Sequence, residues 1–250
     1  MSLVLDKNGN QYTLPTWLVL DGEPFSIRRD TVNKAFGHGS IMTADGKVTE
    51  RELVLRTEEA SELFATRAAY EAAVRALTTA LMRGPQKLVV DGLYFYNIET
   101  LADFDNPFVN GWASKMSEFE IPLLATDPFK YALTETTVTE EITESPTTFT
   151  VTNAGLEVSP VITITAAATN SSMSLVNTSD GSRTMGYTDT LFTSGASVVF
   201  DGVEGTVKRG AVNTINNFGG SWLRLLAGAN SLTYTGAACT ISLAYRERWL

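Results

Sequence analysis

The chain has 250 residues, 44% of them hydrophobic and 10% aromatic, which supplies a packed core and excludes global disorder. The formal net charge is −9, divided as 13 basic against 18 acidic residues up to residue 132 and 6 against 10 beyond it. With no Lys/Arg cluster the chain lacks the basic patches that phosphate-driven nucleic-acid binding needs, and the single Cys239 excludes an internal disulfide or a thiolate metal site.

The chain starts without a basic segment leading into an apolar one, and no run approaches the ~20 apolar residues of a membrane span. No membrane span is expected, and synthesis in a cytoplasm is the default. The Asn-x-Ser/Thr matches at Asn170 and Asn177 therefore carry little weight.

Short β-like runs come first, at Gln11–Leu20 and Glu23–Arg28. In "IMTADGKVTERELVLR" (41–56) the Asp45-Gly46 pair signals a two-residue hairpin between alternating strands. Residues 57–83 then form the one convincing helix, with Leu63, Tyr70, Val74, Leu77 and Leu81 on one apolar stripe. Thr57 suits the N-cap, Glu58, Glu59 and Glu62 suit the positive end of the dipole, and Arg83 with Gly84-Pro85 closes it. Such a helix most often packs on a sheet and less often serves as a partner-binding element.

Strands resume in "KLVVDGLYFYNIET" (87–100), a second Asp-Gly hairpin, and in "KMSEFEIPLLA" (115–125), with the loop-like "LADFDNPFVNGW" between them. After "DPFKYA" (127–132) the composition changes. Thr, Ser, Ala, Gly and Val dominate, no helical period is visible, and short runs alternate with turns every 8–12 residues or so, the pattern of an all-β sandwich. This places domains at 1–132 and 133–250.

The catalytic inventory is thin. His38, in "FGHGS", is the only histidine, so it supports neither a multi-histidine metal site nor a recognisable triad. Asp103 and Asp105 share a turn-rich loop, a spacing common on solvated loops and available in principle to a glycosidase pair. Glu140, Glu141 and Glu144 fit the outer face of a hairpin or a linker, where acid residues blunt an exposed edge. Cys239 alternates with Ile241, Leu243 and Tyr245 as a core residue would. No catalytic residue, cofactor or metal site is expected.

The aromatics leave one functional reading. A sugar-binding sandwich presents rings on an open face, and Trp222 and Tyr234 are the candidate ligand or partner face, with Tyr245 and Trp249 beside them in the inventory. Period-two reading sets Trp222 with Arg224 and Leu226, opposite Leu223 and Leu225. It makes Trp222 the start of a strand, "AGAN" (227–230) a turn and "SLTYTG" the returning strand. These rings travel with aliphatic partners, which favours a core role over a ligand platform.

Five stretches in order then resemble a known family. They are the Gly-containing hairpin and long helix (37–83), "DPFKYA" (127–132), "FTVTNAGLEVSPVITI" (149–164), "WLRLLAGANSLTYTG" (222–236) and the terminal "YRERWL" (245–250). Together the chain resembles the distal tail protein of long-tailed, siphovirus-type bacteriophages. One departure is visible: the family's frequent Pro before Gly in the fourth stretch is Ala227 here. The resemblance implies a mainly β chain, with an N-terminal β-sandwich carrying one α-helix and a C-terminal all-β, galectin-like sandwich. It implies a structural, non-enzymatic protein of the virion, at the distal end of the tail, made in the host cytoplasm. It further implies a homohexameric ring whose central channel passes DNA without specific binding. The partners implied are the tail tube protein, the tail hub or fibre protein, and receptor-binding proteins. The alternative is a carbohydrate-binding module of a phage adhesion device.

Overall fold

The computed structural model describes residues 3–6, 9–15, 18–20, 27–28, 31–33, 40–42, 47–48, 50–57, 66–81, 86–100 and 120–250. The chain is mainly β. It divides into two compact units, Met1–Leu133 with Leu250, and Thr134–Trp249.

In the first unit the strands are β1 (Leu3–Asp6), β2 (Gln11–Thr13), β3 (Leu18–Leu20), β4 (Ile27–Arg28), β5 (Thr31–Asn33), β6 (Ser40–Met42), β7 (Lys47–Val48) and β8 (Arg51–Thr57). Helix α1 (Arg67–Leu81) follows, then β9 (Gln86–Val90), β10 (Tyr94–Thr100), β11 (Glu120–Ala125) and β12 (Lys130–Ala132). The main sheet runs β2-β1-β9-β10-β11-β8-β3, with β12 also on β10. Leu53, Leu55, Leu88, Val90, Tyr96, Ile98, Ile121 and Leu123 alternate inward along these strands and meet Leu77 and Leu81 of the helix in one core. Each such side chain contributes roughly 1.5–3 kcal/mol by leaving water.

The helix differs from its sequence expectation. Thr57 does not cap it: Thr57 ends β8, paired with Leu18 of β3, because the alternation of Leu53 and Leu55 continues into that ladder. The cap is Thr66, whose Oγ1 accepts from the Ala69 N–H at 3.2 Å. At the other end Gln86 Nε2 donates to the carbonyls of Ala80 (2.5 Å) and Leu81 (3.1 Å), satisfying two acceptors that a helix terminus leaves open. Of the expected stripe, Leu77 and Leu81 are buried. Leu63, Glu58, Glu59, Glu62 and Arg83 lie outside the described residues.

Asp91-Gly92 turns as its sequence predicts: φ is 52° and 69°, and the Leu93 N–H donates to the Val90 carbonyl at 3.1 Å. The Asp45-Gly46 pair lies outside the described residues. Among the described residues β6 pairs with β5 and β7 with β4.

The second unit holds β13 (Thr136–Ile142), β14 (Thr147–Asn153), β15 (Val161–Ala166), β16 (Ser172–Asn177), β17 (Arg183–Thr188), β18 (Ser197–Asp201) and β19 (Thr206–Arg209). It continues with β20 (Val212–Asn213), a single 3-10 turn at Ile215–Asn217, β21 (Phe218–Gly220), β22 (Gly228–Thr235), β23 (Cys239–Tyr245) and β24 (Arg248–Trp249). Two sheets, β13-β23-β15-β18-β19-β20 and β14-β22-β16-β17-β21, face each other across one core. Strict period-two alternation builds it. Cys239, Ile241, Leu243 and Tyr245 point inward from β23, while Phe149 and Val151 do so from β14. The intervening threonines of β14 face out. Glu140 and Glu141 lie on β13, the edge of the six-stranded sheet, as the sequence suggests.

Candidate interaction site

The segment 221–227, which holds the tryptophan singled out from the sequence, is not a strand. It is a loop whose Ser221 N–H donates to the Thr184 carbonyl of β17 (2.8 Å) and whose Leu225 forms an isolated bridge with Val158, through Leu225 N–H to Val158 carbonyl (2.8 Å) and the reverse bond (3.0 Å). The predicted turn at 227–230 is displaced too: β22 already starts at Gly228 and pairs with β14 and β16 rather than with residues 222–226. The physical reason is that Leu223 and Leu225 plug the sandwich end, at 3% and 0% exposure, and the backbone between them finds side-chain partners instead of a ladder.

Those partners are three fully buried asparagines. Asn153 Nδ2 donates to the carbonyls of Leu156 (2.7 Å) and Leu225 (3.2 Å), and its Oδ1 accepts from the Gly155 N–H (3.1 Å). Asn177 Nδ2 donates to the Arg224 carbonyl (2.7 Å) and to Asn230 Oδ1 (3.0 Å). Asn230 Oδ1 also accepts from the Leu226 N–H (2.8 Å), and its Nδ2 donates to the carbonyls of Leu226 (2.9 Å) and Gly228 (3.1 Å). The trio thus ties the loop to three strands, with buried polar groups satisfied. Asn177 and Asn170, the two glycosylation-pattern residues, are buried with committed amides.

Outside this lock lies a charged clasp. Arg224 makes a fork on Asp180, with Nε to Oδ2 at 3.2 Å and Nη2 to Oδ1 at 3.0 Å, and its Nη1 reaches Glu157 Oε1 at 2.9 Å. Arg183 Nε adds a bond to Asp180 Oδ2 at 2.6 Å. The Arg224 hydrogen bond, then the Arg183 contact, overcome desolvation and hold the Asp180 carboxyl below its ordinary value. A second carboxylate, Asp189, is buried; burial alone would raise its pKa, but the Leu191 N–H, the Tyr187 hydroxyl (2.8 Å) and Arg209 together lower it.

Trp222 and Tyr234, the candidate ligand or partner face that the alternation reads rather as core, sit in different surroundings. Trp222 is half-buried, stacked on Phe218 with centroids 4.4 Å apart and planes at 19°, at the rim of the core. Tyr234 has no exposure: it points inward from β22, and its hydroxyl accepts from Asn170 Nδ2 (2.6 Å) and donates to the Ala237 carbonyl (3.1 Å). Burial pushes the Tyr234 hydroxyl well up and the neighbouring Cys239 thiol up. His38, Asp103 and Asp105 lie outside the described residues. The sequence reading missed Asn153, Asn177 and Asn230. Its only available signal was the turn-prone Asn-Ala-Gly, Asn-Thr-Ser-Asp-Gly and Gly-Ala-Asn that they sit in.

Asn153 and Asn230 belong to stretches that carry the family resemblance, and all three asparagines lie in the part of the chain that a family model matches. Residues 153–249 match the family model described as the siphovirus-type tail component, C-terminal domain. In fold the chain is similar over 100% of its length, and of the other's, to the crystal structure of the Dit protein of phage SPP1, with TM-score 0.72 and 15% identity. That protein is described as a paradigm of the hub adsorption apparatus in phages infecting Gram-positive hosts. By both comparisons the chain is similar to phage distal tail proteins. A chain of the phage P2 baseplate in its activated conformation with calcium also aligns, at TM-score 0.42 and 8% identity over 97% of this chain and 96% of that one. No curated protein matches the chain in sequence.

Proposed function

We propose that this protein is a structural component of a phage tail tip that forms a homohexameric ring, joining the tail tube to the baseplate or tail hub and leaving a central channel for DNA. The observation that carries the reading is the tail-component match over residues 153–249, the stretch whose loop is locked by Asn153, Asn177 and Asn230. The full-length similarity in fold to a phage hub protein supports it. So does the acidic charge of −9, since an acidic lumen repels the passing phosphates instead of gripping them. The domains 1–132 and 133–250 divide the work: the first assembles the ring, and the galectin-like second projects outward to dock a tail fibre or receptor-binding protein. The protein acts by assembly and not by catalysis, at the distal end of the virion tail, after synthesis in the host cytoplasm.

Light scattering and negative-stain images of the purified chain, alone and with the tube protein, test this. Rings of six subunits are expected. Monomers at high concentration in the presence of the tube would sink the reading.

A further inference from the structure

Strand β14 stands at the end of its sheet, paired on one side only, with β22. Terminal strands expose alternate N–H and C=O groups, and proteins blunt them by shortness, charge or proline. Among the described residues the other terminal strands follow that rule. β2, β3 and β21 have three residues each and β20 has two, while β13 carries Glu140 and Glu141. β14 departs from it: seven residues, TTFTVTN, without charge or proline, and residues 145–155 carry no formal charge. Thr148, Thr150 and Thr152 are exposed along it.

We infer that β14 is a strand-pairing site for a second copy of this chain, which adds its own β14 antiparallel about Thr150. The sequence of the strand is self-complementary about that residue. An antiparallel partner in this register places Thr148 opposite Thr152, Phe149 opposite Val151, and Thr150 opposite itself, as a two-fold interface requires. Hydroxyl faces hydroxyl on the outer side, and apolar faces apolar on the core side, so the five-stranded sheet continues into its copy without a change of pattern. A one-residue slip would set threonine against the core residues of the other copy. The Tyr245 hydroxyl donates to the Thr152 carbonyl at 2.7 Å, and the second lone pair of that oxygen remains for the partner.

Charge selects the same occupant. Two chains of net charge −9 repel at most surfaces, and β14 lets them approach with no carboxylate on either strand, Glu247 meeting the chain only past its end, at the Ala154 N–H (3.1 Å). A strand of a different protein bearing lysines would gain nothing here, because β14 offers it no acid. The pairing is two-fold, so it does not by itself close a ring of six. It joins single chains or whole rings in pairs.

Sedimentation equilibrium of the full chain over a concentration series tests this with three samples: wild type, Thr150→Lys, and Thr139→Lys on the already acidic edge β13. At the highest concentration the wild type and Thr139→Lys are expected to have twice the mass of Thr150→Lys, whichever unit pairs. The far-ultraviolet circular dichroism of all three should agree. Thr148→Lys is the second variant should Thr150→Lys fail to fold, with the same halving expected. Amide exchange at residues 147–152 should slow at least tenfold as wild-type concentration rises. Equal masses for wild type and the folded β14 variant, with exchange independent of concentration, overturn the inference.

Discussion

Arg224 grips Asp180 with two guanidinium nitrogens, at 3.2 and 3.0 Å, from the loop that the backbone ladders leave unpaired. The fork ties residues 44 positions apart, and Asp180 keeps only 12% side-chain exposure beneath it. Planar, two-point pairing of this kind adds direction as well as attraction, and the single ammonium left by Arg224→Lys would not reproduce it.

Acid should weaken this clasp. The Asp180 carboxyl is held below its ordinary value, first by the Arg224 hydrogen bond, so its stabilising share is fully present above about pH 4 and is lost as pH falls through the lowered folded value. Melting temperature followed from pH 6 to pH 2 should therefore fall less steeply at the acid end in Asp180→Asn than in wild type, with the variant melting lower at pH 6. Asp189, lowered as well, contributes to both curves alike, so the difference between them isolates Asp180. Parallel curves would refute this role.

Removing the Asn230 side chain should loosen the loop from beneath. In Asn230→Ala the Leu226 N–H loses its acceptor, and the carbonyls of Leu226 and Gly228 each lose a donor. Each buried group left unmade costs about 1–3 kcal/mol, less where water enters the vacated space. Denaturant titration should show a midpoint shift equivalent to at least about 1 kcal/mol with the m-value kept. An unchanged midpoint would mean that the trio is ornamental to the fold.

The strands of the second unit and one turn of the first were legible because their residues answer to local rules. Cys239, Ile241, Leu243 and Tyr245 are inward at every second position, as period two requires, and Asp91-Gly92 adopts the positive φ values its composition favours. The loop at 221–227 was not legible, because Leu223 and Leu225 alternate like a strand while the carbonyls of Leu225 and Arg224 accept from Asn153 and Asn177, 72 and 47 positions away. Nothing within the stretch signals those distant amides. Tyr234 alternates like a core residue and is one, while the partners that enclose its hydroxyl, Asn170 and Ala237, come from outside its own strand. The helix start is ambiguous in sequence for a similar reason, since Thr57 has the chemistry of a cap and a strand partner in Leu18.

Two glycines separate backbone strain from steric conflict. Gly220 and Gly228 have nearly the same φ, 88° and 89°. A Cβ on Gly220 would run into the Thr184 carbonyl oxygen and approach Met185, whereas a Cβ on Gly228 meets open space. Gly228→Ala should cost about 1–2 kcal/mol from the left-handed backbone alone. Gly220→Ala should cost clearly more, since β21 must part from β17, and thermal melts of the two variants give the comparison. Equal melting temperatures would contradict the close approach.

Trp222 and Tyr234 should respond oppositely to small and large changes. Tyr234→Phe keeps the ring but leaves Asn170 Nδ2 without its hydroxyl acceptor inside the core, at about 1–3 kcal/mol. Trp222→Phe keeps a ring against Phe218 at the rim and orphans no buried side-chain partner, so it should cost well under that. Trp222→Ala removes the stack altogether, yet the half-buried site limits the loss to a fraction of the ~3–5 kcal/mol of a fully buried ring. The variant should stay folded, with an unchanged far-ultraviolet spectrum and a melting point several degrees lower. If it unfolds, the Phe218 stack supports the sandwich end more than its rim position indicates. If its melting point does not move, the indole is free of the core, and Trp222 alone returns as a surface for a ligand or partner.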